Sequence, residues 1–408
     1  MSPPSPLRDP RPLPASPSGA ALLTDGRGTR LLPAILALAL GSFAIGTTEF
    51  AIMGLLPEAV AELGVDLQAG GVLISMYALG VVVGAPVLAA GLARVDRRTS
   101  SIVLMALFLV GHAGSLMAPT LGTMMAARFV SGLPHGAYFS AAALAAAHLA
   151  GPARRGQAVA WVMAGLSVAN VLGVPAATAL GQAAGWRWMF VIVAGCALAC
   201  IVATVLLVPR VPAPEGASVA RELRGLASGR LWATVSIGVI GFAGMFALYT
   251  YIAPLLTDVA GLEARWVPAV LALYGTGMVI GTLVGGALTD RDPVATLRLS
   301  FAVSAAGLLG VGLTAPWWPA LLACMLVVAL AGSGIAPALQ VLLVDAAPGA
   351  PQLAGALNHS ALNMANAMGA WVGAAAIGAG ASLQAPPLLG AGIAGLGVLL
   401  SILLLRRA

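Results

Sequence analysis

The chain has 408 residues, of which 60% are hydrophobic and only 8% are charged, and its mean hydropathy is +0.98. These values lie far outside those of soluble globular proteins and exclude that class. The chain contains no lysine, and its net charge of +6 comes from arginines that are spread along its length, which argues against a nucleic-acid-binding surface.

The chain begins with a polar segment and continues as a series of apolar blocks. Residues 1–30 are rich in Pro and Ser and predict a disordered cytoplasmic tail without a cleavable signal peptide. A helix needs about 20 apolar residues to cross about 30 Å of hydrocarbon. Blocks of this length predict an all-α membrane protein with twelve transmembrane helices, at residues 33–56, 69–91, 100–118, 121–147, 157–181, 188–208, 231–256, 266–289, 297–315, 317–344, 353–380 and 385–405.

The arginines predict how the chain is oriented in the membrane. Of the 20 arginines, 17 lie in the tail, in the loops after even-numbered spans or at the C-terminus, whereas the opposite loops carry only Arg187 and Arg265. Cytoplasmic loops are enriched in basic residues, so both termini of this multi-pass protein are predicted to face the cytoplasm from the inner (plasma) membrane. Tryptophans near the span ends are predicted to anchor the chain at the membrane interfaces: Trp186, Trp188, Trp266, Trp317 and Trp318.

Apart from the span ends, two charged residues fall inside predicted spans: Glu49, in the sequence GTTEF of the first span, and Arg128 in the fourth. Inserting such a charge costs about 2.5 to 3.5 kcal/mol, so these residues are expected to face a cavity or a partner. Each lies about 10 Å from the predicted outer surface, at 1.5 Å per residue, so the two can meet. Either Glu49 binds and releases a proton beside Arg128, or the two form a permanent ion pair that fixes the packing of helices.

The longest polar interruption in the chain, residues 209–230, predicts a cytoplasmic loop between two sets of six spans, 31–208 and 231–405. Motifs recur in the two sets at nearly one spacing. YALGVVVG at 77–84 matches YGTGMVIG at 274–281, displaced by 197 residues, and ANVLG at 169–173 matches ANAMG at 365–369, displaced by 196. The shared spacing predicts an internal duplication. Duplicated six-span halves are typical of secondary transporters.

Motifs of known enzymes are missing from the sequence. Without lysine, neither a nucleotide-binding Walker lysine nor a Schiff base can form, and the four histidines show no metal-ligand spacing. We therefore predict a protein that is not an enzyme, with no catalytic residue, no cofactor and no metal.

Several longer motifs occur in chain order: GTTEFAIMGLLPE at 46–58, RFVSGLPHGAYF at 128–139, GLSVANVLGVP at 165–175 and LNMANAMGAW at 362–371. Together they resemble the major facilitator superfamily, and within it the drug:proton antiporter group that is close to arabinose-efflux-type permeases. The resemblance covers about residues 31 to 405. It implies two pseudo-symmetric six-helix bundles that export a drug or a sugar-like molecule in exchange for protons. The implied partners are a small-molecule substrate, protons and the lipid bilayer, without nucleic acid, and the protein is expected to be monomeric.

The resemblance also implies residues that bend helices or control gating. The loop motif G-x-L-x-D-R of this family is kept in the second half as GALTDR, whereas Ala93 replaces its acid in the first half and Asp96, three residues on, is a candidate substitute. Anchoring of the loop by its arginines is the competing explanation for this motif. The candidate residues for gating or bending are Gly165, Gly173, Pro175, Arg94, Gly286, Asp290 and Arg291.

Polar and aromatic residues inside the spans are candidates for a substrate cavity: Tyr77, His135, Asn170, Phe246, Tyr249, Gln340, Asn363 and Asn366. Hydrogen bonds between helices are an equally good explanation for the amides. His135, beside Pro134, is expected either to bond a carbonyl at a helix bend or to relay protons. Proton-linked uptake by the same fold, or a membrane sensor or scaffold without transport, are the alternative functions.

Overall fold

The computed structural model describes residues 31–152, 154–212, 228–347 and 351–405, so the predicted tail 1–30 and most of the predicted central loop lie outside the described residues. All regular structure in these ranges is helical. The helices are α1 (Leu31–Gly54), α2 (Leu56–Leu63), α3 (Leu67–Gly91), α4 (Arg97–Met117), α5 (Leu121–Gly132), α6 (His135–Ala150), α7 (Arg155–Val168), α8 (Val174–Ala184), α9 (Trp188–Leu207), α10 (Gly229–Thr250), α11 (Val267–Thr289), α12 (Pro293–Thr314), α13 (Trp318–Ser333), α14 (Ile335–Ala346), α15 (Pro351–Gly378) and α16 (Ala385–Leu404).

Ten helical segments in the described residues are long and apolar enough to cross a membrane. The remaining two of the twelve predicted spans are also helical: the fourth is divided between α5 and α6, and the eleventh is α15. The prediction of an all-α membrane protein with twelve spans is therefore confirmed. Below, the N-terminal half means residues 31–212 and the C-terminal half means residues 228–405.

The helices of the fourth and fifth spans are each interrupted at or next to a proline. Between α5 and α6, Leu133 and Pro134 form a turn, because the proline nitrogen has no hydrogen to donate to the preceding turn of helix. In the fifth span, Ala169–Gly173 form a π-helical turn between α7 and α8, and Pro175 follows at the start of α8. Such turns accommodate an extra residue and bend a helix.

The repeated glycines make equivalent contacts in the two halves. A Cβ atom at Gly84 of α3 would overlap with the carbonyl oxygen of Leu133, and one at Gly281 of α11 would overlap with that of Leu330. Leu330 lies 197 residues after Leu133, the same displacement that separates the two glycines. In both halves, therefore, the absence of a side chain lets the second span approach the backbone of the fourth.

Gly84→Ala is expected to destabilise the protein by about 1 to 3 kcal/mol, because the added methyl group forces α3 away from the α5–α6 turn. Gly91→Ala, in the same helix, is the matched control, since a Cβ there meets nothing within 4 Å. The measurement is the melting temperature of both variants in detergent. Equal melting temperatures would show that the close approach is not required.

The first-half loop motif lacks its acid, and Asp96 does not replace it. Asp96 instead accepts hydrogen bonds at the start of α4, with its Oδ1 3.0 Å from the backbone nitrogen of Thr99. Asp292, 196 residues later, caps α12 in the same way, 2.9 Å from the nitrogen of Ala295. Burial raises the pKa of Asp96, but the hydrogen bonds from Thr99 and the charges of Arg210 and Arg98 outweigh it and hold the pKa below its usual value. Asp96 therefore corresponds to the capping residue Asp292 and not to the motif acid Asp290.

One of the predicted interfacial tryptophans is a core residue. Trp186 is only 2% exposed, its indole Nε1 donates to Glu62 Oε2 at 2.6 Å, and its ring lies under the Arg187 guanidinium at 4.5 Å. Arg187 also forms an ion pair with Glu62. The prediction of an interfacial anchor is wrong for Trp186, because a neighbouring acid satisfies the indole inside the fold. Trp188, Trp266, Trp317 and Trp318 are exposed.

Candidate functional site

Glu49 lies in α1 where this helix meets the C-terminal half, and its side chain is 7% exposed. The charge of Arg128 acts on its carboxylate from α5, and the side-chain amide of Asn366 lies beside it on α15. Neither polar atom of Asn366 completes a hydrogen bond of regular geometry with a described residue. The carboxyl group thus lies between a cation of one half and an amide of the other.

Arg128 is 1% exposed and is held by two contacts on the side of the N-terminal half. Its Nη1 donates to Thr48 Oγ1 at 3.2 Å, and its guanidinium carbon lies 4.4 Å from the centre of the Tyr77 ring. Glu49 and Arg128 do not approach within the 4.0 Å of an ion pair in the described part of the chain. Arg128 Nε and Nη2 also have no hydrogen-bond partner among the described residues. Arg128 therefore retains donors for another group, such as a displaced Glu49 or a substrate.

Thr48, next to Glu49 in the sequence, connects Arg128 to His112 on α4. The Thr48 hydroxyl lies 2.7 Å from His112 Nε2, and His112 Nδ1 lies 2.8 Å from the carbonyl oxygen of Phe108. Because a carbonyl can only accept, Nδ1 must carry the hydrogen, and Nε2 of the neutral ring accepts from Thr48. The Thr48 oxygen then accepts from Arg128, which fixes the direction of this chain of hydrogen bonds.

Tyr77 connects Arg128 to a second histidine. Its hydroxyl lies 3.0 Å from His135 Nδ1, at the start of α6. The expectation that His135 bonds a carbonyl at the helix bend is wrong, since Tyr77 occupies this nitrogen. The His135 ring also faces His359 of α15, with ring centroids 6.1 Å apart, and His359 stacks on Phe139 at 5.1 Å. This cluster joins the two halves on the side of the predicted cytoplasmic loops.

Aromatic residues close the opposite, predicted outer side of Glu49. Phe50 stacks on Phe246 with centroids 6.4 Å apart and meets the edge of Tyr249 at 5.3 Å. Tyr249 in turn packs against Tyr274 at 4.9 Å. The rings of Phe246 and Tyr249 are buried in these contacts between the halves. A substrate reaches them only when the halves separate there.

The other candidate amides make contacts of their own within the fold. Asn170 is buried in the π-helical turn, where its carbonyl packs against Gly275 of α11, and its side-chain oxygen has no partner among the described residues. Asn363 Nδ2 donates to the His359 carbonyl at 3.1 Å. Gln340 is half-buried on α14 and faces Gly355 of α15, and no contact joins it to Glu49 in the described structure.

The candidate gating residues differ in their surroundings. Gly165 and Gly173 are sites of close packing against α1, where a Cβ would overlap with the Ala39 carbonyl and with Thr47. At Gly286 a Cβ would meet nothing within 4 Å, so packing does not explain this glycine. Pro175 begins α8. Exposed helix ends carry the remaining residues, which form no ion pair with a described residue: Arg94, Asp290 and Arg291.

The residues of this centre that were not among the sequence candidates include Thr48, His112 and His359. The sequence does carry a signal for His359, because it shares a helix face with Asn363 and Asn366, four and seven residues later. For His112 and Thr48 the only signal is a polar residue within an apolar span, which does not identify a partner.

Comparison with known proteins identifies the family. The family model of the Major Facilitator Superfamily matches residues 38–303 and 263–408. The inner membrane transport protein YdhP of Escherichia coli K12 is 38% identical over 373 residues, which is 91% of this chain and 96% of YdhP. A chloramphenicol resistance protein of Streptomyces lividans is 32% identical over 348 residues, 84% of this chain and 88% of the relative.

Solved structures show the same fold. The xylose transporter XylE from E. coli, in a partially occluded inward open conformation, superposes with a TM-score of 0.71 at 16% identity, over 90% of this chain and 96% of XylE. The family resemblance and the fold expected from the sequence are thus confirmed. The chain belongs to the Major Facilitator Superfamily, and it is a multi-pass membrane transporter and not an enzyme.

Proposed function

We propose that this protein is a proton-coupled antiporter that exports a small organic molecule by alternating access. The observation that carries the proposal is the position of Glu49, a buried acid at the contact between the halves, near Arg128 but not paired with it. A permanent structural ion pair would place the two groups in direct contact. A separated pair can change its distance, and so its affinity for a proton, as the halves move.

In the proposed cycle, the site binds either the proton or the substrate. With Glu49 protonated, the site carries one net positive charge, from Arg128, and a cationic or polar ligand is held weakly. With Glu49 ionised, Glu49 and Arg128 together carry no net charge, and the carboxylate attracts the ligand. Substrate that binds from the cytoplasm therefore favours release of the proton, and a proton that binds from outside favours release of the substrate.

The surroundings of Glu49 favour an amphiphilic substrate that is neutral or cationic. Phe50, Phe246 and Tyr249 offer apolar ring faces, and the amide of Asn366 beside Glu49 offers hydrogen bonds. Binding sites for small molecules commonly combine an apolar lining with a few polar groups. The similarity to a chloramphenicol resistance protein supports export of such a compound.

We further propose that the protein lies in the inner membrane with both termini in the cytoplasm, and that the bundles 31–208 and 231–405 move about the site. The arginine distribution supports this orientation. The similarity to the inner membrane transport protein YdhP supports the location.

Everted membrane vesicles that contain the protein test this function. With an energised membrane, chloramphenicol, ethidium, arabinose and xylose are added in turn, and the interior pH is followed with a fluorescent dye. We expect at least one amphiphile to cause proton release and to accumulate in the vesicles. Accumulation only in right-side-out vesicles would indicate uptake instead, and the absence of any proton movement or accumulation would contradict the proposal.

A further inference from the structure

Two histidine branches start at Arg128, and they differ in where they end. The branch through Thr48 stops at His112, because the remaining ring nitrogen of His112 is bonded to the carbonyl of Phe108. A carbonyl oxygen has no hydrogen to pass on. This branch orients Arg128 but cannot carry a proton any further.

The branch through Tyr77 continues across the protein. Arg128 lies over the face of Tyr77, and Glu49 also acts electrostatically on this residue. The Tyr77 hydroxyl is bonded to His135 Nδ1, which leaves His135 Nε2 without any described hydrogen bond. The ring of His359 is the next titratable group, 6.1 Å away between centroids.

The two histidines of this branch differ in their exposure. His135 is 2% exposed, whereas His359 is half-buried on the C-terminal half. His359 lies eight residues after the start of α15 at Pro351, or about 12 Å from that helix end at 1.5 Å per residue. Titratable groups therefore follow one another from the buried centre towards the predicted cytoplasmic side.

We propose that Tyr77, His135 and His359 form the route by which the proton leaves Glu49 for the cytoplasm, an inference that rests on the proposed proton coupling. His135 starts as the Nε2–H tautomer, so that Nδ1 accepts from the Tyr77 hydroxyl. The Glu49 carboxyl passes its proton to the Tyr77 oxygen through water, while the Tyr77 hydroxyl proton moves to His135 Nδ1. The Nε2 proton of His135 passes to one ring nitrogen of His359, and His359 releases a proton from its other ring nitrogen towards the predicted cytoplasmic side.

The step moves one proton from Glu49 to the cytoplasmic side. Glu49 ends as a carboxylate, Tyr77, His135 and His359 each lose one proton and gain one, and one proton reaches the cytoplasmic side. Each histidine ends as its other tautomer, and exchange of the ring protons with water, when the halves separate on that side, restores the first tautomers. The groups that face His135 are Tyr77 of α3 and His359 of α15, with Arg128 behind the Tyr77 ring.

The route is tested with purified protein in proteoliposomes, using chloramphenicol and ethidium as probes. Two rates are measured for each variant: probe-driven proton release, and exchange of labelled for unlabelled probe without a pH gradient. For His135→Gln we expect proton release to slow by about 100-fold or more, the range of a lost proton-transfer group, while exchange stays close to that of the wild type. His148→Gln, at the exposed end of the same helix α6, is the matched control and should retain both rates.

A second variant keeps the test decisive if His135→Gln does not fold. His359→Gln changes a half-buried ring and should show the same separate loss of proton release. Wild-type proton release in either folded variant would overturn the route, and so would an equal loss of exchange and release, since this would indicate a structural role. If Glu49→Gln also retained proton release, the proposed function itself would fail.

Discussion

Glu49→Gln is expected to reduce probe-driven proton release by about 100-fold or more, because the amide has nearly the same shape as the acid but cannot bind and release a proton at neutral pH. Exchange of labelled for unlabelled probe should continue, since this half-reaction requires no proton, but it should need a higher probe concentration, because the amide lacks the charge that attracts the probe. The measurement compares both rates in proteoliposomes with equal amounts of protein.

The matched control is Glu263→Gln, which makes the same chemical change on the predicted outer surface. Glu263 is 64% exposed and pairs with Arg265 at 2.7 Å. An exposed ion pair contributes only about 0 to 1 kcal/mol, so this variant should transport normally. Equal proton release by both variants would mean that Glu49 serves the packing of helices and not the coupling.

Arg128→Gln is expected to produce the largest loss of stability together with a loss of transport. Removal of one member of a pair of buried charges costs about 3 to 5 kcal/mol, because the other charge is left uncompensated. The variant also loses the hydrogen bond to Thr48 and the contact with the Tyr77 ring. The melting temperature in detergent and the exchange rate measure the two effects.

The double variant Glu49→Gln/Arg128→Gln shows how much of this loss comes from the charge on Glu49. Coupled groups give non-additive effects in such a cycle. We therefore expect the double variant to melt at a higher temperature than Arg128→Gln alone, although it still lacks proton release. Additive losses of stability would contradict an interaction between Glu49 and Arg128. Arg128→Lys should fold but transport poorly, since a compact ammonium cannot reproduce both contacts of the guanidinium.

The sequence predicts the helices of this fold well because every span must satisfy its backbone hydrogen bonds internally and present an apolar surface to lipid. The displacement of 197 residues also corresponds to a contact in space, since Gly84 meets Leu133 as Gly281 meets Leu330. The bends within the spans were harder to predict from the sequence. The turn at Pro134 was expected only as a bend, and the π-helical turn at Ala169–Gly173 depends on packing against α1 and α11 that no local pattern specifies.

The centre of the site was predictable as a pair of charges but not as a network. The cost of burying a charge identifies Glu49 and Arg128 without knowledge of any contact. The hydrogen bonds that hold Arg128 join distant parts of the chain, since Thr48 lies 80 residues before Arg128 and 64 residues before His112. Trp186 illustrates the same limit, because a tryptophan near a span end suits both a membrane interface and a buried contact with Glu62.

The central claim, that Glu49 carries the transported proton, is tested most directly by proton release from purified protein in weakly buffered detergent solution. Chloramphenicol or ethidium, whichever the vesicles transport, is added, and a pH-sensitive dye records the protons that appear in solution. We expect the wild-type protein to release protons on binding and Glu49→Gln to release none, each at a concentration of the compound that saturates it. Release of as many protons by Glu49→Gln as by the wild type would contradict the claim.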